Sequence, residues 1–211
     1  MSQTNSVFEN RFVPFLYDCL IAGMFLPFGG IRELRKKTIR AFLRGPGSKI
    51  LEPGCGTGSM TKLLYNSGCS VTAFDGSEQM LKRAKKKAPE AVFLRSSFEE
   101  FETKETFDFV VFSFVLHELD PDLIIHVLEN SKRYLRPGGK VVILDHAVPE
   151  SGVLSRLWKW FLLKLEPPSV RICIENGYGS LLKNLGFHVS DFQVLAGGTA
   201  SYWIAESVGY Q

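Results

Sequence analysis

The chain lacks several features that would direct its interpretation elsewhere. Its four cysteines have no paired spacing of the kind that binds zinc, and they lie in or beside apolar runs, where small thiols usually pack. The apolar run between Asp18 and Gly29 is too short to span a bilayer, and no basic leader or A-x-A-like cleavage site accompanies it. We therefore expect a protein of a reducing cytoplasm with no metal site and no secretion or membrane-spanning segment.

The chain also lacks a strong excess of charge of one sign. Its formal net charge is +3, and the basic residues are spread out except in the stretch from Lys82 to Lys87. Isolated runs of this kind usually form a solvated helix face, so we expect no nucleic-acid partner.

No linker, internal repeat or low-complexity tract divides the 211 residues, of which 45% are hydrophobic, so a single domain is expected. Helix-like and strand-like segments alternate, and the strands are apolar enough to be buried on both faces of a mainly parallel, doubly wound α/β sheet. The last two strand-like segments, Phe187 to Leu195 and Ala200 to Glu206, are joined by a hairpin-type connection. An antiparallel C-terminal hairpin is therefore predicted. We divide the chain into an N-terminal helical cap (1–44), a cofactor-binding core (45–146), an acceptor lid (147–176) and a C-terminal helix with the hairpin (177–211).

The most informative segment runs from Lys49 to Gly58, where an apolar strand enters a turn dense in glycine. Glycine tolerates positive φ and has no Cβ, so such a turn brings backbone amides close to a ligand. Glu52 precedes the first glycine, and Asp75 ends the next apolar run at the distance expected for a ribose-binding carboxylate. The pattern predicts a nucleotide-type cofactor.

Four fragments in order resemble the class I S-adenosylmethionine-dependent methyltransferases. Leu51-Glu-Pro-Gly-Cys-Gly-Thr-Gly58 resembles the glycine-rich first motif of that family, and the segment from Phe74 to Leu81 resembles its acidic second motif. The segments Phe107 to His117 and Leu135 to Ile143 are similar to its fourth strand and to the turn into its fifth. The resemblance implies a Rossmann-like, seven-stranded sheet with helices on both faces and S-adenosylmethionine as methyl donor.

A dinucleotide-binding protein is the competing interpretation of the glycine turn. Its fingerprint needs glycine at the first, third and sixth positions. Counted from Gly54 the sixth position is Ser59, and counted from Gly56 it is Thr61. Neither register is completed, which favours the methyltransferase.

The resemblance also implies which residues surround the donor, with Glu52 placing the amino-acid moiety and Asp75 the ribose hydroxyls. Asp75 has an alternative role as a helix N-cap. Relatives often carry Gly-Asp after the third strand where this chain has Ser96-Ser97, so Ser97 either accepts from the adenine amino group or caps a short helix, and Phe98 can stack on the ring. The predicted donor-binding residues are Tyr17, Glu52, Gly54, Cys55, Gly56, Thr57, Gly58, Asp75, Gly76, Met80, Ser97, Phe98, Ser113 and Phe114.

His117 and His146 are the candidate catalytic bases, because each follows a predicted strand end and relatives often carry histidine near the first position. Packing or helix capping is the alternative for both. Tyr17-Asp18 resembles a dipeptide found before the first strand in methyltransferases of quinone and phospholipid biosynthesis, where the leading segment closes over the donor. A tyrosine buried in the cap is the alternative for Tyr17.

The segment from Gly152 to Glu166 is a candidate acceptor lid. Apolar residues occupy almost every face, and Arg156, Lys159 and Lys164 supply cationic ends. Together with the Phe-rich start of the chain, this composition predicts a small apolar or amphipathic acceptor (a lipid, quinone precursor or amine) and a possible peripheral membrane contact. Alternatives are a lid buried against the N-terminal region, a polar or macromolecular substrate, and a donor-binding protein without catalysis.

Overall fold

The structure, a computed structural model, describes residues 30–165, 170–171 and 177–207. Its helices and strands follow the alternation expected from the sequence. In chain order they are α1 (Ile31–Phe42), β1 (Lys49–Pro53), α2 (Ser59–Asn66), β2 (Ser70–Asp75), α3 (Glu78–Lys87), β3 (Val92–Arg95), β4 (Phe107–Ser113), α4 (Pro121–Tyr134), β5 (Leu135–His146), α5 (Gly152–Leu165), α6 (Gly179–Asn184), β6 (Phe187–Leu195) and β7 (Ala200–Ser207).

The seven strands form one mixed sheet in the order β3-β2-β1-β4-β5-β7-β6. This order, with its antiparallel C-terminal strands, confirms the predicted Rossmann-like α/β class. Helix α1 supplies the described part of the predicted N-terminal cap, while Tyr17 lies outside the described residues. The last predicted helix begins two residues later than expected, because Gly177 has a φ of 58° and belongs to the preceding turn.

The chain divides into two compact units, and Met1–Phe107 is the first. Within it β1 pairs with β2, and β2 with β3, all in parallel. Every residue of β1 after Lys49 is buried, as expected for a strand covered on both faces.

Helix α3 shows why these helices begin and end where they do. The Ser77 side chain accepts a hydrogen bond from the Met80 backbone N–H, which satisfies one of the donors exposed at a helix start. Glu78 lies in the first turn, and the lysines of the last turn complement the helix dipole. The buried face is formed by Met80, Leu81 and Ala84.

The second unit is Asp108–Gln211. Here β7 lies between β5 and β6 and is antiparallel to both, with Leu144 opposite Tyr202 and Phe192 opposite Trp203. Helix α4 begins at Pro121, whose missing N–H costs nothing in the first turn. Within the ranges given above, no helix is long and apolar enough to cross a bilayer.

Gly58 fixes the contact between the glycine turn and α3. Its φ is 73°, and a Cβ built on it would lie 2.8 Å from both the Cα and the Cβ of Ala84. Gly138 has a similar φ of 77°, but a Cβ there would meet nothing within 4 Å.

We therefore expect Gly58→Ala to destabilise the fold more than Gly138→Ala. Both variants incur the left-handed strain of about 1–2 kcal/mol, and Gly58→Ala adds overpacking of about 1–3 kcal/mol against Ala84. Urea unfolding of the two variants measures the difference. Equal losses of unfolding free energy would show that α3 moves away from the added methyl group at no cost in free energy.

Candidate functional site

The glycine turn after β1 is held in a left-handed path. Gly54, Gly56 and Gly58 have φ values of 65°, 52° and 73°. The Cys55 N–H donates to the carbonyl of Phe74 over 3.0 Å, and the Gly58 N–H donates to the carbonyl of Cys55 over 3.0 Å. The turn is thus tied to β2 and leads directly into α2, as a close-approach loop requires.

Asp75, the last residue of β2, braces this turn from the side. Its Oδ2 accepts the Gly56 N–H and its Oδ1 accepts the Ser77 N–H, each over 2.8 Å. Burial raises its pKa, and these two backbone hydrogen bonds oppose that rise. A carboxylate has about four acceptor positions, and the described part of the chain fills one on each oxygen, which leaves capacity for a further donor such as a ribose hydroxyl.

Asp75 does not cap α3, since Ser77 accepts the Met80 N–H instead. The alternative N-cap role is therefore taken by Ser77. Met80 is buried in α3, and the carbonyl of Gly76 accepts from Arg95 Nε over 3.2 Å. Donor binding by Asp75, Gly76 and Met80 stays a prediction.

Glu52 is buried in β1 and engaged within the protein. Thr61 of α2 donates its hydroxyl to Glu52 Oε2 over 2.6 Å. Burial raises the pKa of Glu52 to about 7, against the lowering effects of the Thr61 hydrogen bond and the Arg35 charge. The contact of Glu52 with the amino-acid moiety stays a prediction, and no local pattern points to Thr61 as its partner.

Thr57 contacts Lys87, which belongs to the basic run that was expected to form a solvated helix face. Lys87 Nζ donates to Thr57 Oγ1 and to Ser59 Oγ, each over 2.8 Å. Lys82, Lys85 and Lys86 are exposed as expected, but Lys87 is only partly exposed. The sequence signal for this contact was the position of Lys87 at the end of the helix that follows the acidic second motif.

Ser97 caps a turn formed by residues 98–100, and the short helix expected after it is not formed. Its Oγ accepts the Glu100 N–H over 3.2 Å. Phe98 meets the edge of Phe74 with ring centroids 5.6 Å apart, and Phe74 also stacks on Phe101 at 4.1 Å. Contact of Ser97 and Phe98 with adenine stays a prediction.

In the second unit, the end of β4 makes a strained turn. Phe114 has a φ of 54°, which is uncommon for a residue with a side chain, and its N–H donates to the carbonyl of Leu144 over 2.8 Å. Ser113 is buried just before it. The turn leads to a short 3₁₀ segment, Leu116–Glu118, that carries His117.

Asp145 organises the residues around His117. Asp145 is buried near the end of β5, and its Oδ1 accepts from His117 Nδ1 over 2.6 Å and from the His146 N–H over 2.8 Å. Its Oδ2 accepts the His117 N–H over 3.2 Å and the Tyr178 hydroxyl over 2.9 Å. These four residues, His117, Asp145, His146 and Tyr178, form what we call the histidine cluster.

The hydrogen bonds determine the protonation pattern of the cluster. Burial raises the pKa of Asp145, but the charge and hydrogen bond of His117, with His146, outweigh it and hold the pKa below its ordinary value. An ionised Asp145 can only accept, so His117 Nδ1 carries a proton and donates it to the carboxylate.

His146 packs among aromatic rings. Its ring centroid lies 4.5 Å from that of His117, 5.2 Å from Phe114 and 6.2 Å from Trp158. Trp158 of α5 is anchored because its Nε1 donates to the carbonyl of Ala147 over 2.9 Å. Both candidate bases are therefore gathered in one buried cluster.

The same cluster has metal-type ligands, since atoms of His117, Asp145 and His146 lie within 4.8 Å of one another. However, both oxygens of Asp145 already accept two hydrogen bonds each, which fills the capacity of a carboxylate. A cation would have to displace these donors, so the geometry favours a hydrogen-bonded network over a metal site.

Asp145 and Tyr178 were not selected from the sequence. Asp145 ends an apolar run, as Asp75 does, and this was the signal that could have identified it. Tyr178 is 33 residues further along the chain, and no local pattern connects it to β5.

Comparison with known proteins agrees with this geometry. The family described as "Methyltransferase domain" matches residues 50–139. An uncharacterized methyltransferase of Synechocystis sp. is 29% identical over 187 residues, which cover 88% of each chain. Phosphatidylethanolamine N-methyltransferase of Cereibacter sphaeroides is 31% identical over 63% of this chain and 67% of its own.

A demethylmenaquinone methyltransferase of Mycobacterium sp. is 32% identical over 72% of this chain but only 64% of its own length. Among solved structures, the N-methyltransferase NodS of Bradyrhizobium japonicum with bound S-adenosyl-L-homocysteine has a TM-score of 0.64 at 21% identity, covering 84% of this chain and 87% of that one. The chain belongs to the S-adenosylmethionine-dependent methyltransferases. It is an enzyme of that class, with S-adenosylmethionine as its cofactor.

Glu52 generates a pH-dependent prediction. Its folded-state pKa of about 7 lies above its ordinary value of 4.5, so the folded chain binds this proton more tightly than the unfolded chain. Below pH 4.5 this carboxyl therefore leaves the free energy of unfolding unchanged. As the pH rises through about 7 the free energy of unfolding falls, and above that range it is lower by roughly 3 kcal/mol.

Glutamine at position 52 keeps an acceptor for Thr61 but cannot ionise. We expect the free energy of unfolding of Glu52→Gln, relative to that of the wild type, to increase as the pH rises from about 5 to about 8. Urea unfolding at both pH values measures this gain. Glu102→Gln, at an exposed position, is the matched control and should show a constant difference. A constant difference for Glu52→Gln as well would contradict the assigned pKa.

Asp75 generates a prediction on cofactor affinity. We expect Asp75→Ala to weaken S-adenosylhomocysteine by about ten- to a hundredfold in calorimetric titration, the usual effect of losing charge-assisted hydrogen bonds. The loss should be smaller for the 2′-deoxy analogue, which lacks one of the two ribose donors.

The exposed Asp122 supplies the control variant Asp122→Ala, which should bind as the wild type does. Thermal melting of Asp75→Ala tests separately whether the braced turn has been lost. Equal losses for both ligands would mean that Asp75 supports the turn and does not contact the ribose.

Proposed function

We propose that this methyltransferase transfers the methyl group to a small apolar or amphipathic acceptor that must lose a proton, such as a quinone precursor with a phenolic oxygen or an adjacent ring carbon. The histidine cluster carries the proposal. An acceptor of this kind needs a base, whereas a neutral amine can attack the methyl group directly. His117, whose ring is oriented by the hydrogen bond from Nδ1 to Asp145, is the base that the geometry supports best.

The donor is assigned to the residues of the glycine turn and to Asp75. Their backbone amides and carboxylate oxygens fit a ligand with a ribose and a charged amino-acid part. S-adenosylmethionine supplies an electrophilic methyl group on a sulfonium, and transfer is an in-line displacement. The chain has to hold the two reactants at near-attack distance and exclude water, which positioning alone can accelerate greatly.

Each residue of the histidine cluster then has a separate role. Asp145 fixes the tautomer and orientation of the His117 ring, and Tyr178 with two backbone N–H groups donates to the other acceptor positions of that carboxylate. His117 accepts the acceptor's proton at Nε2. His146, packed between His117 and Trp158, closes one side of the cluster and is the second candidate to contact the acceptor.

The names of two relatives agree with an apolar or amphipathic acceptor, since one is named for demethylmenaquinone and the other for phosphatidylethanolamine. The second relative supports an alternative acceptor, an amine carried on a lipid. That acceptor would not require His117, which provides a direct way to separate the two.

The test uses Asp145→Asn with demethylmenaquinol or phosphatidylethanolamine supplied in detergent. Asparagine can donate to His117 Nδ1, which moves the ring proton to Nε2 and removes the base. We expect kcat with the quinol to fall about a hundredfold to ten-thousandfold, with unchanged affinity for S-adenosylhomocysteine. Release of S-adenosylhomocysteine over a range of pH measures kcat and its pH profile.

Asp191→Asn is a matched control, because Asp191 Oδ2 accepts from the hydroxyl of Tyr202 on β7 and the substitution removes the charge from another Tyr–Asp hydrogen bond. It should retain full activity. Turnover of phosphatidylethanolamine unaffected by Asp145→Asn would identify an amine acceptor instead. Turnover of polar acceptors alone would contradict the proposal.

A further inference from the structure

Helix α5 has an inner face that contacts the histidine cluster. Trp158 and Leu162 are buried, and the Trp158 ring meets that of His146 with centroids 6.2 Å apart. At about 100° per residue these two side chains point to the same side of the helix. Burial of the inner face therefore accounts for only some of the apolar residues of α5.

The opposite side of α5 is apolar and exposed. Val153, Leu157, Trp160 and Leu163 have exposed fractions of 64%, 60%, 63% and 41%. On a helical projection these side chains fall within an arc of about 120°, centred opposite Trp158 and Leu162. Nine large hydrophobic side chains are exposed among the described residues, and four of them lie on this one helix. Such clustering marks an interaction surface, whereas single exposed apolar residues do not.

The exposed side of α5 is also basic. Arg156 and Lys164 fall within the same arc, Lys159 lies about 40° beyond it on the side of Leu163, and all three are exposed. The helix sequence from Gly152 to Leu165 contains no acidic residue. Long cationic side chains can lay their alkyl stems along apolar neighbours while their charged ends reach outward.

We propose that this outer face of α5 docks on the surface of a lipid bilayer that contains anionic phospholipid. An amphipathic helix with tryptophan and leucine on one arc and interleaved cations binds in the plane of such a surface. Apolar side chains enter the boundary between headgroups and acyl chains, and each cation near the negative surface adds attraction. Charge complementarity thus selects this occupant.

A second copy of the chain fits this face less well. A two-fold interface brings the same patch of both copies together, so it would oppose the three cations of one copy to the same three of the other. Like charges placed against each other in a closed interface are costly, whereas an anionic bilayer neutralises them.

The inference deepens the proposed function, on which it rests only for the nature of the acceptor. Because one side of α5 contacts His146 and the other would contact lipid, docking places the histidine cluster one helix away from the bilayer surface. A lipid-soluble acceptor could then reach the cluster without crossing bulk water.

Flotation of the full chain with vesicles tests the docking. We expect binding to vesicles of phosphatidylcholine and phosphatidylglycerol, weakening with added salt, and little binding to phosphatidylcholine alone. Leu157→Ala/Trp160→Ala should reduce partitioning at least about tenfold, as expected for two truncated apolar side chains. Arg156→Gln/Lys159→Gln should reduce it about thirtyfold at low salt.

Two control variants match these changes elsewhere on the chain. Val92→Ala/Leu94→Ala truncates two exposed apolar residues of β3, and Lys85→Gln/Lys86→Gln removes the same charge from the exposed face of α3. Both should bind vesicles within about twofold of the wild type, since neither site combines an apolar arc with cations. Trp160→Phe should still bind but lose most of the fluorescence quenching by bromine-labelled acyl chains.

The proposal is overturned if the wild type fails to bind anionic vesicles, or if the α5 variants and controls bind equally. It is also overturned if light scattering shows a dimer that Leu157→Ala/Trp160→Ala dissociates, because a second copy then covers the face. Affinity for S-adenosylhomocysteine and turnover in detergent should be unchanged in every variant. Lost vesicle binding with retained turnover therefore separates failure of docking from failure of the proposed function.

Discussion

The second half of the molecule depends on the hydrogen bonds that the buried carboxylate of Asp145 accepts. An ionised carboxylate inside a protein is costly unless its oxygens are fully hydrogen-bonded. Four donors meet that requirement here, from the short segment after β4, from the end of β5 itself and from Tyr178 just before α6. Satisfying one buried charge therefore fixes three segments that are distant along the chain.

The first half of the molecule uses the same device with a different result. Asp75 ends β2 and accepts two backbone N–H groups, and among the residues that the structure describes no further donor reaches it, so its oxygens retain acceptor capacity for a ligand. Asp145 has its acceptor positions filled by protein donors and orients the His117 side chain. Asp75 supports a backbone turn and has lone pairs that a ligand can use. Both are aspartates at or next to the carboxyl end of a strand, and the number of donors among the described residues distinguishes their roles.

Sequence reasoning predicted the features that depend on local chemistry. The glycine turn, the alternation of helices and strands and the antiparallel end follow from residue spacing and polarity, and the structure and the comparisons confirm the resulting fold, class and cofactor. Contacts over long sequence distances could not be predicted in this way. Lys87 reaching Thr57 and Tyr178 reaching Asp145 depend on how the elements pack, and no local pattern encodes them. Glu52 shows a third case, because its position was recognised while its burial and raised pKa were not.

The buried thiol of Cys55 has a consequence for chemical modification of the glycine turn. Burial, together with the negative charges of Glu52 and Asp75, raises the pKa of Cys55 well above its ordinary value. Alkylating agents and peroxides react with the thiolate and not with the protonated thiol. A cysteine placed in the middle of a cofactor loop would ordinarily make that loop sensitive to oxidation, but in this protein burial, with the two nearby carboxylates, disfavours the thiolate that such reagents attack.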